Sequence, residues 1–263
     1  SSIIDYTAPT AKTGLTYKGL DQALVNAGVV GDIEGHFEYA LGEDGEFGVT
    51  IPKATDAKTY KVGYKFVSED GGYSSSDPVY ISVTIAKKEV TVEWGETTLT
   101  YNGTSQAPTA TLNGVVTGDD VKASIVGHQT SVGSNFTATA TLSGEKKENY
   151  VIAGDNTTTY SIIPSGVDDY IVPTANENLI YNGSDQELVT AGVAGTIEGH
   201  FEYALGEDGD FGEIIPKATD AKTYKVGYKF VPDDKDNFAS SEPVFISVEI
   251  AKLERSLKWS DTV

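Results

Sequence analysis

Four acidic stretches carry side chains able to bind a hard cation: Glu43-Asp-Gly-Glu46, Glu207-Asp-Gly-Asp210, Gly118-Asp-Asp120 and Asp233-Asp-Lys-Asp-Asn237. Calcium takes about six to eight oxygen ligands, and loop carboxylates at a domain junction can supply them. On that chemistry the metal candidates are Asp208, Asp210, Asp233 and Asp236. None of the stretches has the full spacing of a calcium loop, and solvated turns account for them equally well. The expectation is therefore no cofactor, with Ca2+ as the alternative. Loops 42–47 and 206–211 are copies of one another, so Glu43, Asp44, Glu207 and Asp208 are also the candidate ligand-binding residues.

Other reactive side chains are sparse. Of the three histidines, His36 and His200 occupy the same position in two copies of one segment, a whole domain apart. They cannot easily converge on a metal or a serine. No Ser-His-Asp order, zinc spacing or phosphate-binding glycine loop occurs, so the chain is read as not an enzyme. Lys53, Lys61 and Lys217 have apolar neighbours and invite an isopeptide bond to asparagine. That reaction needs a desolvated lysine beside a buried carboxyl, and strand alternation puts Lys61 on the wet face. Tyr60, Tyr64, Tyr224 and Tyr228 could stack on sugars, but they share a face with Val62 and Val226, which makes them core.

The elements that position these residues are strands. Ile51 to Val67 recurs letter for letter from Ile215 to Val231. Within it Tyr60, Val62, Tyr64 and Phe66 alternate with Lys61, Gly63 and Lys65, the period of two of a half-buried strand. A second marker, Leu15-Thr-Tyr17-Lys-Gly19, returns as Leu99-Thr-Tyr101-Asn-Gly103 and Leu179-Ile-Tyr181-Asn-Gly183, with Gln22, Gln106 and Gln186 three residues after each glycine. The first and third copies differ at only ten of the 53 positions from Leu15 and Leu179 onward, whereas the middle one diverges after the marker. In the middle unit Phe136, Ala138, Ala140 and Leu142 alternate with polar residues, again one dry face and one wet.

Three tandem domains in the order A-B-A follow: 1–87 of type A, 88–164 of type B, 165–252 of type A. Residues 253–263 read as the first strand of a truncated next repeat, because Leu253 to Trp259 stands where Lys88 to Trp94 stands after the first unit. Trp94 and Trp259 are expected at junctions. Each unit offers about six or seven short strands between turn signals and no amphipathic helix, the pattern of a small antiparallel β-sandwich. Each is expected to close its own core and to meet its neighbours only at its tips.

Composition agrees with an all-β chain that folds without staples. Among 263 residues, 15 Tyr and 9 Phe favour strands, and with no cysteine each repeat rests on its apolar core. A formal charge of -20 repels nucleic acid and anionic membranes. No window approaches the roughly 20 apolar residues of a membrane span, so no membrane insertion is expected. Methionine is absent, and a processed chain or a piece of a longer one is the expectation.

The run Leu-Thr-Tyr-Asn-Gly-x-x-Gln, an Ala-Lys-Thr-Tyr-Lys-Val-x-Tyr strand and a closing Ile-Ala-Lys resembles the bacterial immunoglobulin-like repeats of large surface and secreted proteins. The middle unit, with Tyr101-Asn-Gly, Gly118-Asp-Asp120, Ala138-Thr-Ala-Thr-Leu142 and Asn149-Tyr150, is similar to the related repeats rich in Tyr-Asn/Asp-Gly motifs. Two departures stand out: the usual Ala-Gly-Thr-Tyr is Ala57-Lys-Thr-Tyr60, and the marker asparagine is Lys18 in the first unit. The resemblance implies immunoglobulin-like sandwiches and an extracellular role, and it brings no catalytic residues.

The function expected is a non-catalytic structural spacer of a bacterial extracellular surface protein, an extended rod projecting or linking functional domains. Its partners would be the flanking domains of a longer chain, and it would be a monomer or associate end to end. One alternative is an adhesin or carbohydrate-binding module taking a glycan or a host surface protein at the duplicated loops. The other is a fibre-forming subunit that assembles by adding the strand Leu253 to Trp259 to another copy.

Overall fold

In the computed structural model of the chain, residues 6–256 are described. They fall into two compact units. Of these, the first comprises residues 6–97, 107–128 and 137–159, and the second residues 98–106, 129–136 and 160–256.

The first unit is built on Thr59–Ser68, the central strand of an antiparallel sheet between Gly35–Leu41 and Val79–Thr84. Register pairs Phe37 with Phe66, Tyr39 with Tyr64 and Leu41 with Val62. Alternation then sends Phe37, Tyr39, Val62, Phe66 and Val83 inward, where all are buried. The facing layer is made of short pairs: Tyr6–Thr7 with Val29–Val30, Thr10–Ala11 with Val25–Asn26, and Gln22–Ala23 with Lys53–Ala54. It contributes Leu24, Val25 and Ala54, with Tyr6 packed 5.2 Å from the rings of both Phe37 and Phe66. The two layers enclose one apolar core.

That core does not stop at residue 87. Lys88–Trp94 pairs antiparallel with Ala110–Asn113 and parallel with Tyr150–Ile152, and Val90, Val121 and Tyr150 belong to the same buried cluster as Tyr17, Leu24 and Ile85. The expectation of separate cores meeting only at tips is corrected here. The physical reason is the short joint: Ile85 ends one buried row and Val90 begins the next, with only four residues to turn in. Apolar side chains at both ends then bury one another. Trp94 ends its strand opposite Ala110, half-buried.

The second unit repeats the first sheet. Thr223–Pro232 lies between Gly199–Leu205 and Val244–Ala251, and Leu179–Ile180 adds in parallel beside Ile250 and Ala251. Phe201, Tyr203, Val226, Tyr228, Phe230, Val248 and Ile250 form the core, with Tyr170 stacked 5.1 Å from Phe230. Thr98–Thr100 runs parallel to Ser161, Ile162 and Ile163, and Ser165–Gly166 parallel to Phe238–Ala239.

The chain is all-β, as expected. Among the described residues the only helical turn is the short 3-10 turn Lys147–Asn149, and no helix is long and apolar enough to cross a membrane. Residues 253–256 carry no strand, and the rest of the strand expected from Leu253 to Trp259 lies outside the described residues, as do Trp259 and the start of the lead-in strand at Ile3 and Ile4.

Candidate functional site

The recurrent marker turns out to be a joint. Thr16 bridges Ala86 in parallel, with the Tyr17 amide donating to the Ala86 carbonyl at 2.9 Å and the Ala86 amide to Leu15 at 2.8 Å. Gly19 turns the chain at φ +72, where a side chain would be strained. The marker glutamine holds this bend: the Gln22 carboxamide donates to the Thr16 carbonyl at 3.1 Å, Gln106 to Thr100 at 3.0 Å and Gln186 to Ile180 at 3.1 Å. Its position three residues after each glycine was the visible signal, although the spacing alone does not reveal the bond.

So placed, Tyr17 is only 2% exposed and its hydroxyl donates to Oδ2 of Asp119 at 2.7 Å. The Tyr150 hydroxyl donates to the same oxygen and accepts from the Val116 amide at 3.0 Å. The two tyrosine rings meet edge to face with centroids 5.3 Å apart. Beside them Asn149, fixed at the end of the 3-10 turn and 5% exposed, accepts from the Ala57 amide at 2.7 Å and donates to Asp56 at 3.1 Å. Lys146 lies 3.8 Å from Asp56, and Lys87 lies 3.6 Å from Glu148. The buried polar groups are satisfied across the joint, which rigidifies it. Gly118-Asp-Asp120, in sequence either a cation-binding stretch or a solvated turn, gives no sign of this role, because the partners are 102 residues apart.

Burial and the Asp119 bond push the Tyr150 phenol up to about 12, and the same causes push Tyr17 higher still. A phenol raised on folding contributes stability that is fully present below its unfolded value of about 10 and is lost as pH rises through its folded value. The first unit should therefore weaken from about pH 10 towards pH 12 and beyond. The Tyr17→Phe, Tyr150→Phe double variant should show a flatter decline over that window, read from urea midpoints at successive pH values.

A second joint lies in the second unit. The Tyr101 amide donates to Ile163 at 2.9 Å, its ring meets Phe238 edge on at 5.5 Å, and the Ser165 amide donates to Asn237 at 2.9 Å. Asp234 caps this turn by accepting from the Asn237 amide at 3.1 Å and its carboxamide at 2.9 Å, which holds the Asp234 carboxyl below its ordinary value.

The expected ligand loops sit elsewhere, on the outer face of each sheet. Glu43 and Glu207 are exposed, and their carboxylates are engaged by Lys61 and Lys225, which lowers both below the usual carboxylate range. Asp44, Asp208 and Asp210 are exposed at the turns, and so are Asp233 and Asp236. Asp233 faces Nδ1 of His200 at 3.7 Å, and His36 pairs with Glu69 at 2.8 Å. The structure does not bring Asp208, Asp210, Asp233 and Asp236 together: among the described residues no three or more His, Asp or Glu converge as metal ligands. Lys53, Lys61 and Lys217 are exposed, Lys217 3.2 Å from Glu187, without the desolvation an isopeptide bond requires.

The outer face is not simply wet. A Cβ on Gly63 would lie 2.8 Å from the Tyr80 ring and 3.1 Å from Phe47; on Gly227 it would lie 2.6 Å from Phe245 and 3.1 Å from Phe211. Glycine lets these rings settle onto the strand, a meaning that glycine inside a strand pattern often carries. Lys65 sits over Phe47 at 4.9 Å and bonds Glu38 at 2.9 Å; Lys229 sits over Phe211 at 4.8 Å and bonds Glu202 at 2.9 Å. One face of each phenylalanine is thus taken by a cation.

No protein-family model matches the chain, and no curated protein matches it. Among solved structures it is similar to Drosophila N-cadherin EC1-4, with 10% identity over 96% of this chain and 76% of that one, at a TM-score of 0.25. It is also similar to the fibronectin(III)-like modules of Clostridium thermocellum CbhA, with 12% identity over 96% and 100% and a TM-score of 0.19. Drosophila N-cadherin EC1-3 gives 8% identity over 82% and 89% at 0.23. At these scores the likeness carries no argument.

Proposed function

We propose that the chain is a non-catalytic spacer: tandem sandwiches in A-B-A order that hold or link other domains of a bacterial surface or secreted protein at a fixed separation outside the cell. The observation that carries this reading is the joint at Tyr17, where Asp119, Asn149 and Tyr150 replace a flexible linker with buried apolar and hydrogen-bonded contacts. A chain built to transmit position needs stiff joints, and a mobile tether would have left such groups in water. The duplicated loops fit the same reading, since Glu43 and Glu207 are engaged by Lys61 and Lys225.

Limited trypsin digestion tests it. Lys88 is paired in a strand with Tyr150 and Arg255 lies in an exposed strandless stretch, so cleavage at Arg255 should precede any cleavage after Lys87 or Lys88 by orders of magnitude. Equal rates at the two places would show a linker that opens freely and would sink the reading.

A second reading, an adhesin that takes a glycan or host protein, is favoured by the duplication of the outer-face cluster, because two equivalent sites confer avidity. Its test is a polysaccharide pull-down in which Phe47→Ala and Phe211→Ala each weaken binding and together abolish it.

A further inference from the structure

Among the described residues, the second unit carries a copy of the Tyr17 joint with no counterpart of Asp119 and Asn149 packed on it. Tyr181 stands where Tyr17 stands, and Asp220, Ala221 and Lys252 stand where Asp56, Ala57 and Lys87 stand. The backbone beneath is the same: the Tyr224 hydroxyl donates to the Asp220 carbonyl at 2.8 Å as Tyr60 does to Asp56, and the Ile250 amide donates to Lys222 at 3.1 Å as Ile85 does to Lys58. The Tyr181 amide donates to Ala251 at 2.9 Å, matching the bond from Tyr17 to Ala86.

What differs is cover. Tyr17 is 2% exposed and Tyr181 is 40% exposed. A Cβ on Gly19 would lie 2.9 Å from Val116, whereas one on Gly183 would meet nothing within 4 Å. A pocket lined by Tyr181, Ala221, Lys252, Leu253 and Arg255 occupies the place that the middle module fills in the first unit.

We propose that this end of the second unit is a docking socket for a module of the 88–164 type. Recognition would come from a carboxylate that accepts from the Tyr181 hydroxyl, and from a carboxamide that accepts from the Ala221 amide and donates to Asp220. Those are the contacts Asp119 and Asn149 make with the matching groups. A second copy of this chain is a poor occupant, because its own Asp119 and Asn149 are already engaged and two chains of charge -20 repel. The sequence after Lys252 also resumes the spacing of 88–94, with Glu254 and Trp259 in the places of Glu89 and Trp94. The proposal deepens the spacer reading and rests on it, since a socket at this end lets the array continue with the same stiff joint.

The test replaces residues 253–263 of the full chain by a second copy of residues 88–164 and follows amide hydrogen exchange. The Ala221 amide should exchange at least about tenfold more slowly than in the 263-residue chain. Asp119→Ala with Asn149→Ala, made only in the appended copy, should restore the faster rate while the Ala140 amide of that copy stays protected. An unchanged Ala221 rate with a protected appended core would overturn the proposal. So would an unprotected appended core, because the same residues fold behind Lys87 in the same molecule. Concentration-dependent protection of Ala221 in the unextended chain would identify a second copy as the occupant and overturn it as well. Bending between modules in solution would instead count against the spacer reading and leave the Ala221 result standing.

Discussion

Asp119→Ala is expected to lower the stability of the first unit by about 2–4 kcal/mol, because it strands two buried tyrosine hydroxyls at once. Tyr17 and Tyr150 are 2% and 1% exposed, so neither can turn to water for a substitute acceptor without opening the joint. Asp119→Asn keeps an acceptor oxygen in place and should lose only about 1 kcal/mol. Native-state hydrogen exchange at Ala57 and Val90, on either side of the joint, reads both variants. A loss below about 0.5 kcal/mol for the alanine variant is the range of an ordinary surface change, and would mean that the hydrogen bonds do not brace the joint.

The second large effect concerns the apolar core. Phe230→Ala should destabilise the second unit by about 3–5 kcal/mol, the range for deleting a fully buried aromatic ring. Phe230 is 0% exposed and packs 5.1 Å from Tyr170 and 5.4 Å from Phe201. Phe66→Ala removes the corresponding ring, 5.2 Å from Tyr6 and 5.7 Å from Phe37, and should have a similar effect in the first unit. The pair is informative because sequence and register around the two rings match. Urea denaturation followed by exchange at Val62 and Val226 would measure the two losses separately; a small loss at Phe230 would mean that its cavity collapses readily.

Strands were legible because one face of each is dry. Alternation in Tyr60, Val62, Tyr64 and Phe66 located the centre of the sheet, and the exact repeat at Tyr224 to Phe230 located it again. The alternation of Phe136, Ala138, Ala140 and Leu142 likewise marks the strand Gly133–Ser143. The acidic loops were visible as loops, but their residues drew attention as ligands when Glu43 and Glu207 in fact face Lys61 and Lys225 across the sheet.

The joints were much less legible, for a physical reason. Periodicity reports which face of a strand is dry and says nothing about the end of a sandwich, where partners come from distant loops. Tyr17 was legible only as part of a recurring marker, yet its hydroxyl is bonded to a carboxylate 102 residues away. Asn149 lies in a turn whose sequence has no apolar rhythm, and only its 3-10 geometry aims it at Ala57 and Asp56. Gly63 was legible only as a wet-face position of the strand, and nothing in the alternation shows that Phe47 and Tyr80 settle onto it.

The proposed spacer reading rests on the braced joint at Tyr17, and small-angle scattering of the 263-residue chain tests that reading most directly. On that proposal, three sandwiches placed end to end would span about 110 Å, which gives a radius of gyration of about 32 Å. A single globule of this length would give about 18 Å. A value near the larger figure with a rod-like profile is the predicted result; a value near the smaller one, or a profile that demands free bending at the joints, would contradict it.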